Sequence, residues 1–597
     1  MGDEGRANPQ QGEEEGADKT KQKVTVDVLN LAVTSFIVRA LTTAYTIIWS
    51  RLISSYKSSN DLLCDEEKWS LWSYVKCFSS WDGEYFLRLS LNEAEYLYEQ
   101  NHAFFPALPL VVGYLKRLMG GVLPQISACS MHVLIAIIAN NFFFIFSVIG
   151  LYLFVFTSLG RAKAHIRMFS EKQSTKKRDD YMGNVKSVED CRRLSFMAAL
   201  LFTFNIGSIH MSSFYSEGFF TCLSIWGFTF LQWSLNIRNG SFTLELLGVL
   251  SFSIASFFRS NGILFLIPLF VHTLRTCTFC MHCAGVLSLR LEPHKTYRAQ
   301  ILSHFTGRRI FLQFVLHWAK ALLEAALVVL PLLTFQAYAY YLYCVEKYDN
   351  LWREEHKNFL NFSLSLWANP LEYASTFIYT YRKDELIRRP WCDKTIPFIY
   401  SYIQNKYWGV QFLKLLRSPN GNVLYALPVY LMSFHAVYHF FRNRIFPQGG
   451  ISLLFTPFLG EVLHLGVLCL YLLIFAHGEV RTHSQGKAIR LEHRCRGVTC
   501  PLPLAPLPCS VQRGERYLNM MSHHSMANSP LLISPPLFFF FFFFVQIILR
   551  LIASSPFFYI HYAYHLKYSD KWNLILLVNL VYFFVGPPLF GTYIAWT

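Results

Sequence analysis

Long apolar blocks separated by polar loops dominate the pattern of this chain. A helix needs about 20 apolar residues to cross a bilayer, and several blocks reach that length. The clearest lie at 26–48, 131–157, 244–274, 314–343, 423–441, 451–476 and 572–595. A water-soluble core cannot absorb so many blocks, whereas helices satisfy their own backbone polar groups in lipid. The pattern therefore predicts an all-α polytopic membrane protein.

Composition agrees with this class. Of the 597 residues, 53% are hydrophobic and only 15% are charged, against about 25% charged residues in soluble proteins. The net charge of +16 raises the question of a nucleic-acid partner. We expect none, because the basic residues lie in short loops between apolar blocks, as the positive-inside bias predicts.

The 14 cysteines are scattered and predict no disulfide framework. Cys277, Cys280 and Cys283 with His282 resemble a metal-ligand cluster, but they follow an apolar block within a basic stretch. We interpret these cysteines as reduced cytosolic thiols or lipidation sites, and we expect no metal site.

Loop charge predicts the side of the membrane on which each segment lies. Residues 1–25 are polar and predict a disordered cytosolic tail. The 53–102 loop carries nine Asp or Glu against four Lys or Arg, which fits the lumenal side. A second lumenal loop is expected at about 345–421, where Asn361 begins a glycosylation sequon whose occupancy would test this placement.

The basic loops 159–193 and 275–309, with ten and six Lys or Arg, are both cytosolic by charge. If 104–119 is a short span, the 159–193 loop falls in the lumen, against its charge. If 104–119 is re-entrant, the parity requires 244–274 to be two half-spans broken at 260–262. The sequence leaves both arrangements open.

Residues 478–544 depart from this pattern. They are polar, rich in Pro, His, Arg and Cys, and end in seven consecutive Phe at 538–544. One interpretation is a flexible loop with an apolar plug. Our hypothesis is a retained intron, because a polypyrimidine tract before a splice acceptor encodes phenylalanine. His477 would then join Val545, which leaves 26–477 as one membrane-embedded region and 545–597 as the last lumenal stretch with a final transmembrane helix.

The first loop contains the strongest candidate for chemistry, Ser80-Trp81-Asp82-Gly83-Glu84. Sugar transfer to a hydroxyl needs a base, and carboxylates serve as bases. Aromatic rings such as that of Trp81 offer faces for sugars. The alternative is an interfacial loop whose acids merely face water.

Three further groups combine polar and aromatic residues, two of them near the ends of apolar blocks and one, around Trp391, in the long aqueous loop. Charges at the ends of apolar blocks are expensive in lipid and indicate function or internal pairing. Arg259 is a candidate for holding a lipid phosphate, or else it forms a structural pair with Glu217. The remaining candidates for substrate binding are Tyr98, Glu99, Asn101, Tyr215, Asn261, Trp391, Tyr402, Gln404 and Trp408.

Simpler interpretations exist for two of these groups. The motif around Tyr98 is also typical of an aromatic belt at the membrane surface, and the motif around Trp391 equally fits a loop that packs on itself. The chain contains no Gly-rich nucleotide loop and no HExxH motif. A lipid-phosphate sugar donor is therefore more economical than a nucleotide sugar.

In combination, these motifs resemble the GPI mannosyltransferase 2 (PIG-V) family. The motifs occur in order as S-W-D-G-E, Y-L-Y-E-Q-N with A-F-F-P, Y-S-E, R-S-N-G, W-C with I-Y-S-Y-I-Q, Y-W and a terminal W-T. The resemblance runs from about residue 28 to 597, except 478–544, where family members read through continuously.

The resemblance implies a GT-C-like multi-span helical bundle with lumenal loops, acting in the endoplasmic reticulum membrane. It implies transfer of mannose from dolichyl-phosphate mannose to the GPI precursor, as the second mannose, α1,6-linked and with inversion. By this analogy Asp82 is the catalytic base and Glu84 its supporting acid, and no cofactor is needed. A small membrane subunit is a further partner to consider. The alternatives are a lipid or sugar-lipid transporter and a non-catalytic membrane subunit of a glycolipid-synthesis complex.

Overall fold

The described part of the chain is almost entirely helical. A computed structural model describes residues 9–53, 60–64, 70–119, 125–169, 185, 187–236, 241–283, 308–345, 358–382, 389–408, 410, 423–445, 454–475, 545–569 and 572–592. Among these residues the only β-type pairing is an isolated bridge between Glu95 and Asn358.

The described residues of the first half of the chain form ten α-helices: α1 (Pro9–Leu52), α2 (Asn60–Leu63), α3 (Trp72–Val75), α4 (Asp82–Leu91), α5 (Ala107–Met119), α6 (Ala128–Phe169), α7 (Val188–Thr203), α8 (Glu217–Asn236), α9 (Phe242–Phe258) and α10 (Leu266–Cys283). Nine more follow among the described residues: α11 (Arg308–Cys344), α12 (Phe359–Ala368), α13 (Pro370–Arg382), α14 (Ile399–Lys406), α15 (Val423–Phe440), α16 (Leu459–Phe475), α17 (Val545–Ala553), α18 (Pro556–Tyr568) and α19 (Trp572–Gly591).

The prediction of an all-α polytopic membrane protein is confirmed. Within the described ranges, four helical stretches are long and apolar enough to cross a bilayer, namely Asp18–Leu52, Ala128–Gly160, Phe311–Cys344 and Asn573–Gly591. Shorter apolar helices, among them Phe242–Phe258, pack beside them. The described helices thus supply both the spans and the bundle that the apolar blocks predict.

The first helix begins earlier than the sequence suggests. Residues 1–25 were expected to be disordered, but α1 begins at Pro9, so the expectation is wrong for residues 9–25. This stretch is rich in Gln, Glu and Lys, which favour helix. A helix that extends an existing one also needs no new nucleus.

The bundle has two ends, which the chain visits alternately. The far end is marked by Asp27 of α1, whose carboxylate accepts hydrogen bonds from Tyr152 of α6 at 2.9 Å and from Arg192 of α7 at 2.6 Å. Lys567 of α18 reaches Asp190 of α7 at this end, with 3.3 Å between Nζ and Oδ1.

The opposite end, the site end, is where α4 begins at Asp82. At this end the C-terminal part of α1 meets that of α19, since a Cβ on Gly591 would lie 3.1 Å from Thr46 Cγ2. The start of α6 is tied to the first loop here by the disulfide between Cys64 and Cys129.

Helices α9 and α10 form a hairpin rather than one span. Glu245 near the start of α9 lies 3.1 Å from His272 Nε2 of α10 and 2.5 Å from Lys320 Nζ of α11. The chain must therefore reverse between α9 and α10, and it does so in the 3₁₀ turn Ser260–Phe265. Gly262 is required in this turn, because a Cβ there would lie 2.6 Å from the Cα of Ser256.

Helix α5 resolves the question of parity. Its 13 residues span about 20 Å, less than the roughly 30 Å hydrocarbon core. The disulfide between Cys64 and Cys129 holds the first loop and the start of α6 at the same end, so the chain enters and leaves α5 at the site end. With α5 re-entrant and 244–274 folded as a hairpin, the basic loops 159–193 and 275–309 both join helices at the far end. The structure therefore reconciles the charge of both loops with the span count.

Two disulfides overturn the expectation of no cysteine framework. Cys64 pairs with Cys129, and Cys344 pairs with Cys392, at sequence separations of 65 and 48. Such distant partners become neighbours only through tertiary folding, so spacing carried no signal. Cys277 is buried on α10, while the side chains of Cys280, His282 and Cys283 lie outside the described part of the chain.

Two further expectations concern residues 478–544 and the sequon at Asn361. The hypothesis of a retained intron concerns 478–544, which lie outside the described residues. Asn361 is exposed on α12, and the start of this helix is held to the first loop by the Glu95–Asn358 bridge. The sequon therefore lies at the site end.

Removing the long-loop disulfide should destabilise the site end. Closing a loop of 48 residues stabilises by about 4 kcal/mol in the chain-entropy model. We expect Cys392→Ala to lower the thermal midpoint in detergent by several degrees and to expose Cys344 to maleimide. Cys469→Ala, at a buried cysteine outside any disulfide, is the control. An equal midpoint for the two variants would argue against a native Cys344–Cys392 bond.

Candidate active site

Asp82 occupies the first turn of α4 in a strained stretch of backbone. Trp81 directly before it has φ +59° and ψ −122°, a conformation that is rare for a residue with a side chain and that concentrates at functional sites. The Asp82 N–H donates to Tyr215 Oη at 3.1 Å, and that hydroxyl donates to Ser80 O at 3.2 Å. Tyr215 thus fixes the backbone on both sides of Trp81.

The closest cation to Asp82 is Arg550, from the short helix α17. Its Nη1 lies 2.5 Å from Asp82 Oδ2, and its guanidinium carbon lies 4.7 Å from the centroid of the Tyr215 ring. The Asp82 side chain keeps 29% of its surface exposed, whereas that of Arg550 keeps 9%. The carboxylate therefore faces an open space while its partner lies behind it.

Arg550 also binds a second acid. Its Nε donates to Glu217 Oε1, and the same oxygen lies 2.5 Å from Nη1 of Arg259. Asp82, Arg550, Glu217 and Arg259 therefore form a row of alternating charges, which we term the ion chain. Glu217 is fully buried, so its charge is compensated by these two guanidiniums rather than by water.

The ion chain is energetically demanding. A buried charge that loses its partner costs about 3–5 kcal/mol, so each member depends on its neighbours. Because its two carboxylates face two guanidiniums, the ion chain is neutral overall. Groups of charged residues with perturbed environments cluster at functional sites, which makes the ion chain a candidate for the active site.

Close packing supports the segment that carries Tyr215 and Glu217. Asn140 of α6 donates to the carbonyls of Ser213 and Tyr215 at 2.7 Å and 2.9 Å. Gly218 makes room for this side chain, since a Cβ there would lie 2.4 Å from Asn140 Oδ1. The Tyr-Ser-Glu-Gly sequence is thus fixed by contact with α6.

The long loop reaches the site through α14. Ser260, next to Arg259, donates to Tyr400 Oη at 2.7 Å. Burial raises the pKa of Tyr400, so this phenol remains protonated at neutral pH. The contact places α14, with Tyr402 and Gln404, beside the Arg259 end of the ion chain.

An aromatic group lies beside Asp82 on the other side. Tyr85, one turn along α4, stacks on Phe104 at 4.5 Å, and Trp408 lies 5.8 Å from Phe104 and 6.5 Å from Tyr85. Burial, with the nearby charges of Asp82 and Glu84, raises the pKa of Tyr85. Its hydroxyl therefore stays neutral, and the group offers ring faces next to a carboxylate.

Two of the candidates for substrate binding lie in a separate clasp between the two loops. Glu99 accepts from Arg389 at 2.5 Å and from the indole N–H of Trp391 at 3.1 Å. Trp391 is fully buried beside the Cys344–Cys392 disulfide. In this arrangement both side chains hold the loops together, and the Trp391 ring has no exposed face.

The other candidates are distributed around these two groups. Trp81 and Glu84 flank Asp82 and are half-buried, as is Asn261 in the turn after Arg259. Tyr98 lies under the guanidinium of Arg88 at 5.1 Å, and Asn101 is buried in the same 3₁₀ turn as Glu99. The ring of Tyr402 lies 5.0 Å from Lys406 Nζ, and the half-buried Gln404 receives Val410 N–H on its backbone oxygen.

Sequence reasoning missed Arg550 and Asn140. Arg550 had a usable signal, because a lone arginine in the apolar segment Val545–Ala553 satisfies the same rule that singled out Arg259. Asn140 had no local signal, since its role depends on a carbonyl pair from another part of the chain.

Comparisons with known proteins agree with the motif order. The family model described as Mannosyltransferase (PIG-V) matches residues 25–171, 180–277 and 268–456, which is more than half of the chain. The resemblance drawn from the motifs is thereby confirmed.

Sequence identity to individual relatives is low. GPI mannosyltransferase 2 of Drosophila pseudoobscura pseudoobscura is 27% identical over 421 residues, which cover 68% of this chain and 75% of that protein. GPI alpha-1,6-mannosyltransferase 2 of Homo sapiens is 27% identical over 438 residues, 69% of this chain and 70% of that protein. The Drosophila melanogaster GPI mannosyltransferase 2 is 24% identical over 450 residues, 73% and 82% respectively.

Arg550→Met should uncouple the ion chain. The change leaves Asp82 without its cation and Glu217 with one instead of two, so we expect a loss of about 3–5 kcal/mol in stability, seen as a lower thermal midpoint. Arg193→Met, which removes an exposed partner of Glu189, should cost less than about 1 kcal/mol. Equal midpoints for these two variants would contradict the ion chain.

Proposed function

The chain belongs to the mannosyltransferase (PIG-V) family and is therefore a glycosyltransferase, and we propose that it transfers mannose from dolichyl-phosphate mannose to the GPI precursor glycolipid. We propose that this is the second, α1,6-linked mannose, added with inversion. The observation that carries the proposal is the ion chain, which pairs the partly exposed Asp82 at the start of α4 with Arg550 and links it through Glu217 to Arg259.

In the proposed step, the Asp82 carboxylate takes the proton of the acceptor hydroxyl. The hydroxyl oxygen attacks the anomeric carbon of mannose while the bond from that carbon to the donor phosphate breaks. Dolichyl phosphate leaves with the electron pair. A β-linked donor thereby gives an α-linked product in a single displacement, which needs one general base and no cofactor.

The surroundings of Asp82 support its role as the base. Arg550 approaches Oδ2, so Oδ1 lies on the side away from the arginine. The negative charge also lies in the first turn of α4, where the helix dipole favours it. Glu84 shares this turn and would act as the supporting acid.

The order of charges supports separate roles for the two arginines. In an inverting displacement the base and the leaving group lie on opposite faces of the sugar, which requires room between them. Arg550 touches Asp82 and would position it. Arg259, separated from Asp82 by two members of the ion chain, would bind the donor phosphate and stabilise the charge that develops there.

The aromatic group of Tyr85, Phe104 and Trp408 supports a sugar site next to Asp82. Ring faces pack against the apolar faces of sugars, and Trp408 lies in the long loop, which joins the first loop at this place. We infer that this group orients the acceptor sugar or the transferred mannose.

The topology supports a lumenal active site in the endoplasmic reticulum membrane. The basic loops join helices at the far end, which the positive-inside bias assigns to the cytosol. Both disulfides lie at the site end or in the loops that form it, and disulfides persist in the oxidising lumen.

Family membership favours this enzyme over the alternatives. A transporter or a non-catalytic subunit has no need of a base between a sugar-binding surface and two cations. A small membrane subunit remains compatible with the proposal, because the described bundle exposes several apolar helix faces to lipid or to a partner.

Asp82→Asn should abolish transfer while the fold is kept. The change removes the base but preserves size, and loss of general-base catalysis reduces rates by about 10²–10⁴-fold. We expect no rescue of GPI-anchored proteins at the surface of cells that lack the second-mannose step, and accumulation of a precursor with one mannose.

Glu93→Gln, at an exposed acid of the same loop, is the matched control and should rescue fully. Both variants are compared in the full chain and in a chain that joins His477 to Val545. Full rescue by Asp82→Asn in either background would overturn the catalytic assignment.

Orientation can be measured separately from activity. A viral protease site inserted within 351–357 should be cut in sealed microsomes only after detergent is added, because the site end faces the lumen. The same insertion within 170–184 should be cut without detergent. The reverse pattern would place the active site in the cytosol.

A further inference from the structure

Two pairs of histidines with the same spacing face one another across α15 and α18. His435 and His439 lie on α15, and His561 and His565 lie on α18. Side chains four residues apart share one helix face. Where α15 and α18 cross, the two faces bring all four imidazoles together, and none of these residues belongs to the ion chain.

The imidazoles are in direct contact. His561 Nε2 lies 3.4 Å from His435 Nδ1, and the rings of His561 and His565 are 4.5 Å apart between centroids. One ring nitrogen from each of His439, His561 and His565 can be chosen so that all three lie within 4.8 Å of one another.

This grouping is chemically unusual for a packing core. Four adjacent imidazoles cannot all be protonated, because like charges at this distance disfavour each other. Neutral imidazoles present nitrogen lone pairs, and convergence of several lone pairs is the arrangement that a transition metal uses. A metal cation bound to these lone pairs attracts each neutral imidazole and so holds the four rings together.

The neighbours of the group resemble the outer shell of a metal site. The Asn443 side-chain amide lies 2.8 Å from His439 Nε2, and Tyr562 Oη lies 3.5 Å from His435 Nδ1 while donating to Met432 O at 2.7 Å. Such contacts set which ring nitrogen carries the proton and orient the ring for a ligand. Asn443 belongs to a π-helical turn, Phe441–Ile445, a form frequent at functional sites.

We propose that this histidine group binds one divalent transition metal of the zinc type, which links α15 to α18. The donors are nitrogens, which suit Zn²⁺ and its neighbours, whereas Mg²⁺, Ca²⁺ and Mn²⁺ prefer oxygen. In a tetrahedral zinc site the ligand nitrogens are about 3.3 Å apart. The three ring nitrogens here lie within 4.8 Å of one another, so side-chain rotations bring them to the separation that zinc requires. The exposed His435 provides the path of entry.

The metal would have a structural role. Helix α18 follows α17 after only Ser554 and Ser555, and α17 carries Arg550. Fixing α18 against α15 therefore fixes the segment that delivers Arg550 to the ion chain, without contact between the metal and the reacting groups. The sequence alone predicted no metal site, because the two His-x-x-x-His pairs lie in separate parts of the chain and meet only in the folded bundle.

Metal analysis of the purified full chain tests this inference. After incubation with Zn²⁺ and removal of unbound metal, we expect about one equivalent of zinc per chain. The variant that combines His439→Gln with His561→Gln should retain less than a tenth of that amount. His132→Gln, at a buried histidine on α6, is the control and should retain the full equivalent.

The absorption of bound Co²⁺ provides a second readout, because histidines that only pack against one another would give no such band. Co²⁺ bound in place of zinc should give the visible absorption band of a four-coordinate nitrogen site in the wild-type chain and in His132→Gln, and no band in the double variant. Less than a tenth of an equivalent of zinc in the wild-type chain would overturn the proposal. So would equal zinc content in the wild-type chain and a folded double variant.

Discussion

The site end depends on one carboxylate, that of Glu217. It is fully buried and lies between the guanidiniums of Arg259 and Arg550. These three residues come from the start of α8, the turn between α9 and α10, and the short helix α17. Because a buried charge cannot be left uncompensated, the ion chain forces three distant parts of the chain to meet, and the position of Asp82 follows from theirs.

The rest of the architecture brings these three segments of the chain together. Alternation between the far end and the site end returns the chain to Glu217 after α7 and to Arg259 after α9. Gly218 and Gly262 allow the backbone approach that each return requires. Arg550 arrives last, after 478–544, so the ion chain is complete only when the final helices have packed. Any form of the protein that prevents α17 from docking leaves Glu217 and Asp82 without their shared cation.

Sequence reasoning found the spans and most of the ion chain. Apolar block length is a local property, and the charges of Glu217 and Arg259 stand out in apolar surroundings. Disulfide partners were not predictable, because Cys344 and Cys392 become neighbours through tertiary contacts. Aromatic density could not separate Trp408, which lies beside Tyr85, from Trp391, which is buried in a clasp with Glu99. Arg550 was predictable in principle, since the rule that singled out Arg259 applies equally to it.

The neutrality of the ion chain bears on the proposed reaction. Its two acids and two arginines sum to zero charge, so binding of a donor phosphate would add a net negative charge at the Arg259 end. Arg259 and Arg550 both pair with Glu217. If a phosphate competed for Arg259, the ion pair between Glu217 and Arg550 would become stronger. Arg550 would then bind Asp82 less tightly, which would free that carboxylate to contact the acceptor. On the proposed mechanism, binding of the donor phosphate would be linked to the contacts of Asp82 through the single buried carboxylate of Glu217.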